Sequence, residues 1–139
     1  DYNLMQMHFC TTVLQPLTER FERFERLVQS SKSSNELHKE INIKEVMSLI
    51  ETLNGIVEGV SKKVITHLYP FILPRLQQGV QLLDIYHNYG EIVELILGMF
   101  NGVIEKFLPY IESNMTEAKN QIYHCFVCLI QVFSRHNSG

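Results

Sequence analysis

The sequence predicts an all-α fold in which about two and a half helix pairs stack into an α-α superhelix. Apolar residues recur every three or four positions along most of the 139 residues, which is the spacing of an amphipathic helix. A segment containing one helix pair is repeated 47 residues further along the chain. The seven Gly and four Pro are too few for the many turns of an all-β sandwich.

The first helical stretch lies within residues 1–30 and is expected to be the second helix of a preceding pair. Its apolar face consists of Leu14, Leu17, Phe21, Phe24 and Val28. Pro16 is expected to begin or kink this helix, because proline has no backbone N–H for a helix interior. Residues 31–41 are mostly polar and start with a Ser/Lys/Asn-rich run, so they are predicted to form a loop.

The second and third stretches are predicted to form the first complete pair, residues 42–89. The second stretch is expected to begin at Asn42, since asparagine often caps helix N-termini. Ser61 is expected to cap the third stretch in the same way. Pro70 and Pro74 lie within that stretch and predict a kink or a short break.

The second complete pair is predicted for residues 90–136. Gly90 can adopt the left-handed conformation that often ends a helix, so the third stretch is expected to end there. The fourth stretch is expected to end at a boundary near Pro109. The fifth is expected to begin at a cap provided by Asn114 or Thr116.

The internal repeat is clearest in one ungapped segment. Leu53-Asn54-Gly55-Ile56-Val57-Glu58 aligns with Phe100-Asn101-Gly102-Val103-Ile104-Glu105. The same offset aligns Tyr86 with Phe133. A period of 47 residues is at the long end of HEAT and armadillo repeats, which span about 40–47 residues. Such pairs stack because one pair cannot bury its apolar face alone.

Two glycines recur within this repeat. Gly55 and Gly102 occupy the same position of the two pairs, although a glycine in a helix interior costs roughly 1 kcal/mol relative to alanine. Their recurrence predicts that the first and second helices of each pair approach closely at these positions.

The ends of the chain suggest that it is a piece of a longer protein. It begins with Asp1 and shows no basic region followed by an apolar core and a cleavage site. Both ends are therefore expected to expose apolar faces that neighbouring repeats would cover, which favours self-association. The apolar stretches are shorter than the roughly 20 residues of a membrane span, so no membrane insertion is expected.

Charge and cysteine content argue against several classes of protein. Twelve Lys+Arg and fifteen Asp+Glu give a net charge of −3, whereas a nucleic-acid-binding domain is usually strongly basic. Residues 19–26 alternate Glu and Arg around two Phe, so they are interpreted as a solvated helix face and not as an RNA-binding patch. Three Cys do not form a disulfide framework and favour a reducing intracellular compartment.

The segment that comes nearest to a chemical site is Cys125-x-x-Cys128, preceded by His124. Thiolates at this spacing share a helix face and could bind zinc or form a redox pair. A structural zinc needs four ligands, however, and the sequence has no second cysteine pair. Both cysteines are therefore interpreted as small core residues. We expect no catalytic residue, metal or cofactor.

Four blocks of sequence, in this order and spacing, resemble a known family. They are residues 14–17 leading into Arg20-Phe21, and residues 51–58, 82–88 and 128–137. Together they cover nearly the whole chain and resemble the exportins, which belong to the importin-β superfamily of nuclear transport receptors. The aromatic residue at Tyr86, repeated as Phe133, is typical of the second helices of repeats in these receptors.

The resemblance implies a HEAT-repeat superhelix that binds protein cargo together with the GTP-bound form of the small GTPase Ran. It also implies contacts with nuclear pore proteins and shuttling between nucleus and cytoplasm. The family has no catalytic motif. The chain lacks the amino-terminal repeats that resemble the main Ran-binding arch, so Ran binding is expected of the full-length receptor.

Helical periodicity selects candidate cargo-facing residues on the third stretch, outside its apolar stripe. They are Arg75, Gln78, Asp84 and His87. Two alternatives stay open. One is a HEAT-repeat scaffold or adaptor for protein complexes unrelated to nuclear transport. The other is a helical metal or thiol protein centred on Cys125 and Cys128.

Overall fold

The computed structural model describes residues 8–31, 34–111 and 116–137, and these segments are helical apart from short connections and contain no strand. A π-helical turn, Cys10–Leu14, precedes the first helix, and a 3₁₀ turn, Leu108–Tyr110, follows the fifth. The helices are α1 (Gln15–Ser30), α2 (Ser34–Leu37), α3 (Glu40–Gly59), α4 (Lys62–Tyr86), α5 (Gly90–Phe107) and α6 (Thr116–Asn137).

The longer helices stack as successive pairs. Helix α3 packs against α5, α4 packs against α6, and α4 also contacts α5. Helix α1 packs against both α3 and α4. We call α3 and α5 the A helices and α4 and α6 the B helices. Because A helices stack on A helices and B helices on B helices, as in a solenoid, the predicted all-α helical-repeat fold is confirmed.

The two A helices bury equivalent residues of the repeat. Leu49 and Ile96 occupy the same position in α3 and α5, and both are fully buried. Leu53 and Phe100 form a second equivalent pair, also buried. Burying a large apolar side chain completely contributes roughly 1.5–3 kcal/mol. The repeated apolar pattern of the sequence is therefore used twice in one continuous core.

Two helix starts lie where the sequence predicts them, and a third does not. Pro16 lies in the first turn of α1. Backbone N–H groups in the first turn have no partner within the helix, so a proline there costs no hydrogen bond. Ser61 is the N-cap of α4, without a side-chain capping hydrogen bond. Helix α3 begins at Glu40. Asn42 lies inside it, and its side-chain amide donates to the carbonyl of Glu36 at 2.8 Å.

The predicted loop and the predicted caps near the last helix also differ in detail. The predicted loop of residues 31–41 contains the short helix α2 and the first two residues of α3. Helix α5 gives way to the 3₁₀ turn at Leu108, one residue before Pro109. Helix α6 begins at Thr116, and Asn114 lies outside the described residues.

The prolines of α4 do not break the helix. Helix α4 is continuous through Pro70 and Pro74, so the predicted short break is wrong. Each proline removes one backbone donor, but packing against α5 and α6 holds the helix together. Helix α4 ends at Tyr86. Gly90 is the first residue of α5 and does not adopt the left-handed conformation that was expected to end α4.

The recurring glycines do not mark contacts between the A and B helices of one pair, so that prediction is wrong. A Cβ added at Gly55 would meet nothing within 4 Å. A Cβ added at Gly102 would lie 3.4 Å from Cγ1 of Val57, which is on the preceding A helix. Gly102 therefore faces a neighbouring pair, and Gly55 faces open space.

The close approach between an A and a B helix occurs instead at Gly79 of α4. A Cβ at this position would lie 2.5 Å from Cε of Met99 and 3.3 Å from Cε2 of Phe100. Both of these side chains belong to α5 and are buried. The absence of a side chain at Gly79 thus allows α4 and α5 to cross closely.

Candidate functional site

The four predicted cargo-facing residues lie on α4 but in two separate settings. Arg75 and Gln78 are buried, with 7% and 8% of their surface exposed. Asp84 and His87 lie at the C-terminal end of α4, next to α6. Arg75 and Asp84 are about 13 Å apart along the helix axis. Helical spacing could not reveal that Arg75 and Gln78 are buried, because their burial depends on where α1 packs.

Arg75 lies between two aromatic rings. Its guanidinium carbon is 5.0 Å from the ring centre of Phe21 on α1 and 5.3 Å from that of Phe71, within the range of a cation–π interaction. Burial lowers the pKa of Arg75, while the charges of Glu22 and Glu25 act in the opposite direction. The Nε and Nη1 atoms are buried and have no hydrogen-bond partner in the part of the chain that the structure describes.

Gln78 connects α4 to α1. Its Nε2 donates a hydrogen bond of 2.7 Å to Oε2 of Glu25. Its Oε1 is buried and lacks a partner among the described groups. A buried polar atom without a hydrogen bond costs roughly 1–3 kcal/mol. Arg75 and Gln78 therefore hold two buried donor atoms and one buried acceptor atom without a partner among the described groups.

Arg75 and Gln78 line a small polar pocket between α1 and α4, which we call the Arg75 pocket. Its volume is about 150 Å³, and it is lined by Glu25, Pro74, Arg75, Gln77, Gln78 and Gln81. A primary amide suits this lining, because its oxygen accepts from Arg75 and its NH₂ group donates to Gln78. A carboxylate suits it less, because it offers only acceptors and carries the same charge as Glu25.

Asp84 is held by the end of α6. Its Oδ1 lies 2.7 Å from Nε2 of His136 and accepts a hydrogen bond of 2.8 Å from Nη2 of Arg135. The hydrogen bond with His136 lowers the pKa of Asp84 most, burial opposes it, and the hydrogen bond and charge of Arg135 lower the pKa further. Asp84 therefore serves the contact between the two B helices.

His87 belongs to the same contact. Its ring stacks on the ring of His136, with centroids 3.6 Å apart and planes inclined by 8°. A cavity of about 210 Å³ adjoins the two rings. It is lined by Leu83, His87, Gly90, Val93, Phe133, His136 and Asn137. Arg75 and Gln78 thus line a pocket beside α1, whereas Asp84 and His87 lie in the contact between α4 and α6.

Cys125 and Cys128 lie on α6 and differ in exposure. Cys125 is buried, and Cys128 is partly exposed. Burial, followed by the nearby Cys128, raises the pKa of the Cys125 thiol. Sγ of Cys128 lies 3.7 Å from Nε2 of His124. Within residues 8–31, 34–111 and 116–137, no group of three or more His, Cys, Asp or Glu is placed to hold a metal ion.

Glu25 is the pocket residue that lies on α1, and the helical periodicity of α4 could not identify it. It belongs to the alternating Glu/Arg run of α1, which was interpreted as a solvated face. Its partner Gln78 lies 53 residues away, outside the range of any helical periodicity. The apolar Phe21, one turn before Glu25, could have indicated this position. Phe21 is buried and contacts Arg75 of α4, so the adjoining turns of α1 also lie against α4.

The fold defines the chain as an all-α helical-repeat protein. A scan of the sequence against models of known protein families finds no match. None of the described helices combines the length and the apolar character that crossing a membrane requires.

Proposed function

We propose that the chain is a segment of a nuclear export receptor of the exportin-4 type. In this role it binds protein cargo together with GTP-bound Ran, contacts nuclear pore proteins and shuttles between nucleus and cytoplasm. The observation that carries the proposal is the stacking of A on A and B on B helices. The four sequence blocks that resemble exportins support it, and all four have positions in this stack.

The physical reason is that a helical stack offers a long surface composed of many small contacts. Each pair contacts its neighbours, so small rotations per repeat add up along the array. Several weak contacts on one rigid surface act together, which gives higher affinity than any one of them. The protein therefore needs no catalytic group to capture and release a folded cargo.

Within this segment the Arg75 pocket is the cargo contact that we propose. The pocket opens when cargo binds, and the buried unpaired atoms of Arg75 and Gln78 then pair with an Asn or Gln side chain of the cargo. Pairing these buried atoms on binding recovers part of the penalty that the free protein carries. Asp84 and His87 contact α6, so we assign them to the interface between the two B helices and not to cargo binding.

The test of the transport role is equilibrium binding of the full-length protein to Ran. Ran loaded with a non-hydrolysable GTP analogue is compared with Ran loaded with GDP. The proposal predicts at least tenfold tighter binding of the GTP form, which corresponds to about 1.4 kcal/mol, and tighter binding still in the presence of cargo. Equal affinity for the two forms would favour the alternative, a HEAT-repeat scaffold unrelated to nuclear transport.

The Arg75 pocket is tested separately by Arg75→Met in the full-length protein. Methionine fills much of the same space without the guanidinium donors, so cargo affinity should fall about tenfold, or about 1.4 kcal/mol. Arg23→Met provides the matched control, because Arg23 is exposed on α1. If both variants bind cargo like the parent protein, the pocket is not a cargo contact, whatever the result with Ran.

A further inference from the structure

A second polar pocket lies between the two A helices, and we call it the A-helix pocket. Its volume is about 390 Å³, compared with about 150 Å³ for the Arg75 pocket. Its polar lining consists of Asn54 and Glu58 of α3 together with Asn101, Glu105 and Lys106 of α5. The cargo contact proposed above lies between α1 and α4 and uses none of these side chains. The A-helix pocket is therefore a separate candidate site.

The A-helix pocket carries more negative than positive charge. Glu58 and Glu105 are exposed, and neither forms an ion pair with a residue that the structure describes. The positive group of the pocket is Lys106, whose Nζ donates to the backbone carbonyl of Glu58 at 2.9 Å. This carbonyl belongs to the last turn of α3, where the unpaired carbonyls of a helix end attract cations. Two carboxylates and a helix end thus outweigh one ammonium group, and the pocket favours a further cation.

The amide groups of the pocket add acceptor atoms beside these charges. Nδ2 of Asn54 donates a hydrogen bond of 3.2 Å to the carbonyl of Leu95, which joins α3 to α5. Oδ1 of Asn54 is buried and has no partner among the described groups. Oε1 of Glu105 accepts a long hydrogen bond of 3.5 Å from Nδ2 of Asn101. Because carboxylates are acceptors without donors, this lining suits a group that donates several hydrogen bonds.

Gly98 of α5 keeps the A-helix pocket open. A Cβ added at Gly98 would lie 3.8 Å from Nδ2 of Asn54, which is an ordinary contact, so the packing of α3 and α5 does not require a glycine. The repeat does not require one either, because the offset of 47 residues aligns Gly98 with Glu51. A glycine in a helix interior costs roughly 1 kcal/mol relative to alanine. Since Gly98 lines the pocket, this cost leaves room for a bound group.

We propose that the A-helix pocket binds the guanidinium group of an arginine side chain that a protein partner presents. A guanidinium group is planar, permanently charged and offers five N–H donors. In the complex it lies over Gly98 and donates to the carboxylates of Glu58 and Glu105. Lys106 stays on the carbonyl of Glu58 and weakens the binding by repulsion. A lysine of the partner fits less well, because its ammonium group is a strongly hydrated point charge.

The experiment titrates the 139-residue chain with N-acetyl-arginine amide and follows the NMR signals of the backbone amides of Gly98 and Gly102. N-acetyl-citrulline amide is the matched probe, because it keeps the shape of the side chain without its charge. We expect saturable shifts with the arginine probe. Binding of the citrulline probe should be roughly tenfold weaker, since charge-assisted hydrogen bonds are about twice as strong as neutral ones. Equal affinity for the two probes would overturn the proposal.

Two charge substitutions should change the affinity for the arginine probe in opposite directions. Glu105→Gln should weaken binding severalfold, whereas Lys106→Met should tighten it severalfold, because it removes the repelling charge. Glu91→Gln is the matched control, since Glu91 is exposed on the same helix about 21 Å from Glu105 along the axis. An unfolded variant cannot gain affinity, so Lys106→Met gives a result that does not depend on a loss of function. Unchanged affinity in both pocket variants would contradict the proposal.

Filling the pocket tests its position. Gly98→Leu should abolish the shift of the Gly102 amide, because the new side chain occupies the space of the guanidinium group. Gly55→Leu is the control, since a Cβ at Gly55 meets nothing within 4 Å and Gly55 does not line the pocket. Circular dichroism of both variants checks that the helices are retained. If Gly98→Leu binds the arginine probe like the parent chain, the pocket is not the site. The test uses neither Ran nor cargo, so its result is independent of the transport role.

Discussion

Asp84 of α4 and His136 of α6 are joined by a contact of 2.7 Å between Oδ1 and Nε2, at the ends of the two stacked B helices. Arg135 donates to the same oxygen. Both contacts favour the charged carboxylate, and they lower the pKa of Asp84 from its usual 3.8. The first and second helix pairs are thus connected by a titratable group.

The lowered pKa of Asp84 predicts that the free energy of unfolding depends on pH in the acidic range. Asp84 stabilises the fold above its unfolded pKa near 3.8, and the stabilisation is lost as the pH falls through the lower folded value. Because the side chain is about half exposed, Asp84→Asn should lower the free energy of unfolding at pH 7 by less than about 1 kcal/mol. Urea unfolding at pH 7 and pH 2 checks this, and an equal effect at both pH values would contradict it.

A pair of glycine variants tests the helix crossing. Gly55→Ala should raise the free energy of unfolding by roughly 0.5–1 kcal/mol, because the position is open and alanine favours the helix. Gly79→Ala should instead not raise it, because moving Met99 and Phe100 costs about 1–3 kcal/mol and offsets the same helix preference of alanine. Thermal or urea unfolding of both variants gives the comparison. A stabilising Gly79→Ala would show that α4 and α5 are less tightly packed there.

Tyr86 makes a buried hydrogen bond that can be removed selectively. Its hydroxyl donates to the carbonyl of Leu37 at 2.6 Å. Tyr86→Phe should therefore lower the free energy of unfolding by about 1 kcal/mol. Tyr123→Phe is the matched control, because Tyr123 is exposed, and it should have no measurable effect. Equal effects of the two substitutions would exclude a buried bond at Tyr86.

The raised pKa of Tyr86 predicts how stability changes at alkaline pH. Burial, with a smaller contribution from Tyr89, raises the pKa of Tyr86 to about 12 from 10.0. The neutral phenol is favoured in the folded state, so its stabilisation is present below pH 10 and is lost as the pH rises from 10 towards 12. Ultraviolet titration should show a tyrosine that ionises near pH 12 in the parent protein and is absent from Tyr86→Phe.

Alkylation separates the two cysteines of α6. Cys128 is partly exposed, whereas Cys125 is buried and has a raised pKa. Because the thiolate is the reactive form, iodoacetamide at pH 8 should modify Cys128 at least tenfold faster than Cys125. Peptide mapping by mass spectrometry measures the two rates. Equal rates, or stoichiometric zinc that is lost on Cys128→Ser, would contradict their interpretation as packing residues.

Most of the helical framework could be predicted from local patterns. Pro16 and Ser61 lie at the starts of helices, as predicted. The preference of proline and serine for a helix N-terminus depends only on the neighbouring backbone, so a local pattern reveals it. The repeat predicted the stacking, since residues such as Leu53 and Phe100 bury the same face of two helices. Local rules failed at Pro70, where contacts with other helices outweigh the loss of one backbone donor.

The candidate site could be predicted only in part, because burial depends on distant contacts. The periodicity of α4 correctly separates Arg75 and Gln78 from its apolar stripe, but α1 covers both of them. The sequence reveals the repeated Asn-Gly segment, but Asn54 and not Gly55 makes the contact with the next A helix. The hydrogen bond from Asn54 joins residues 41 positions apart, which no local pattern encodes.

The stacking of A on A and B on B helices is the central claim, and an isotope-edited NOESY spectrum tests it most directly. The structure predicts cross-peaks between the γ-methyl group of Val57 and the α protons of Gly102, which join the two A helices. It also predicts cross-peaks between the side chains of Tyr69 and Gln121, which join the two B helices. Cross-peaks between α3 and α6 in place of these would indicate a closed four-helix bundle and would contradict the repeat.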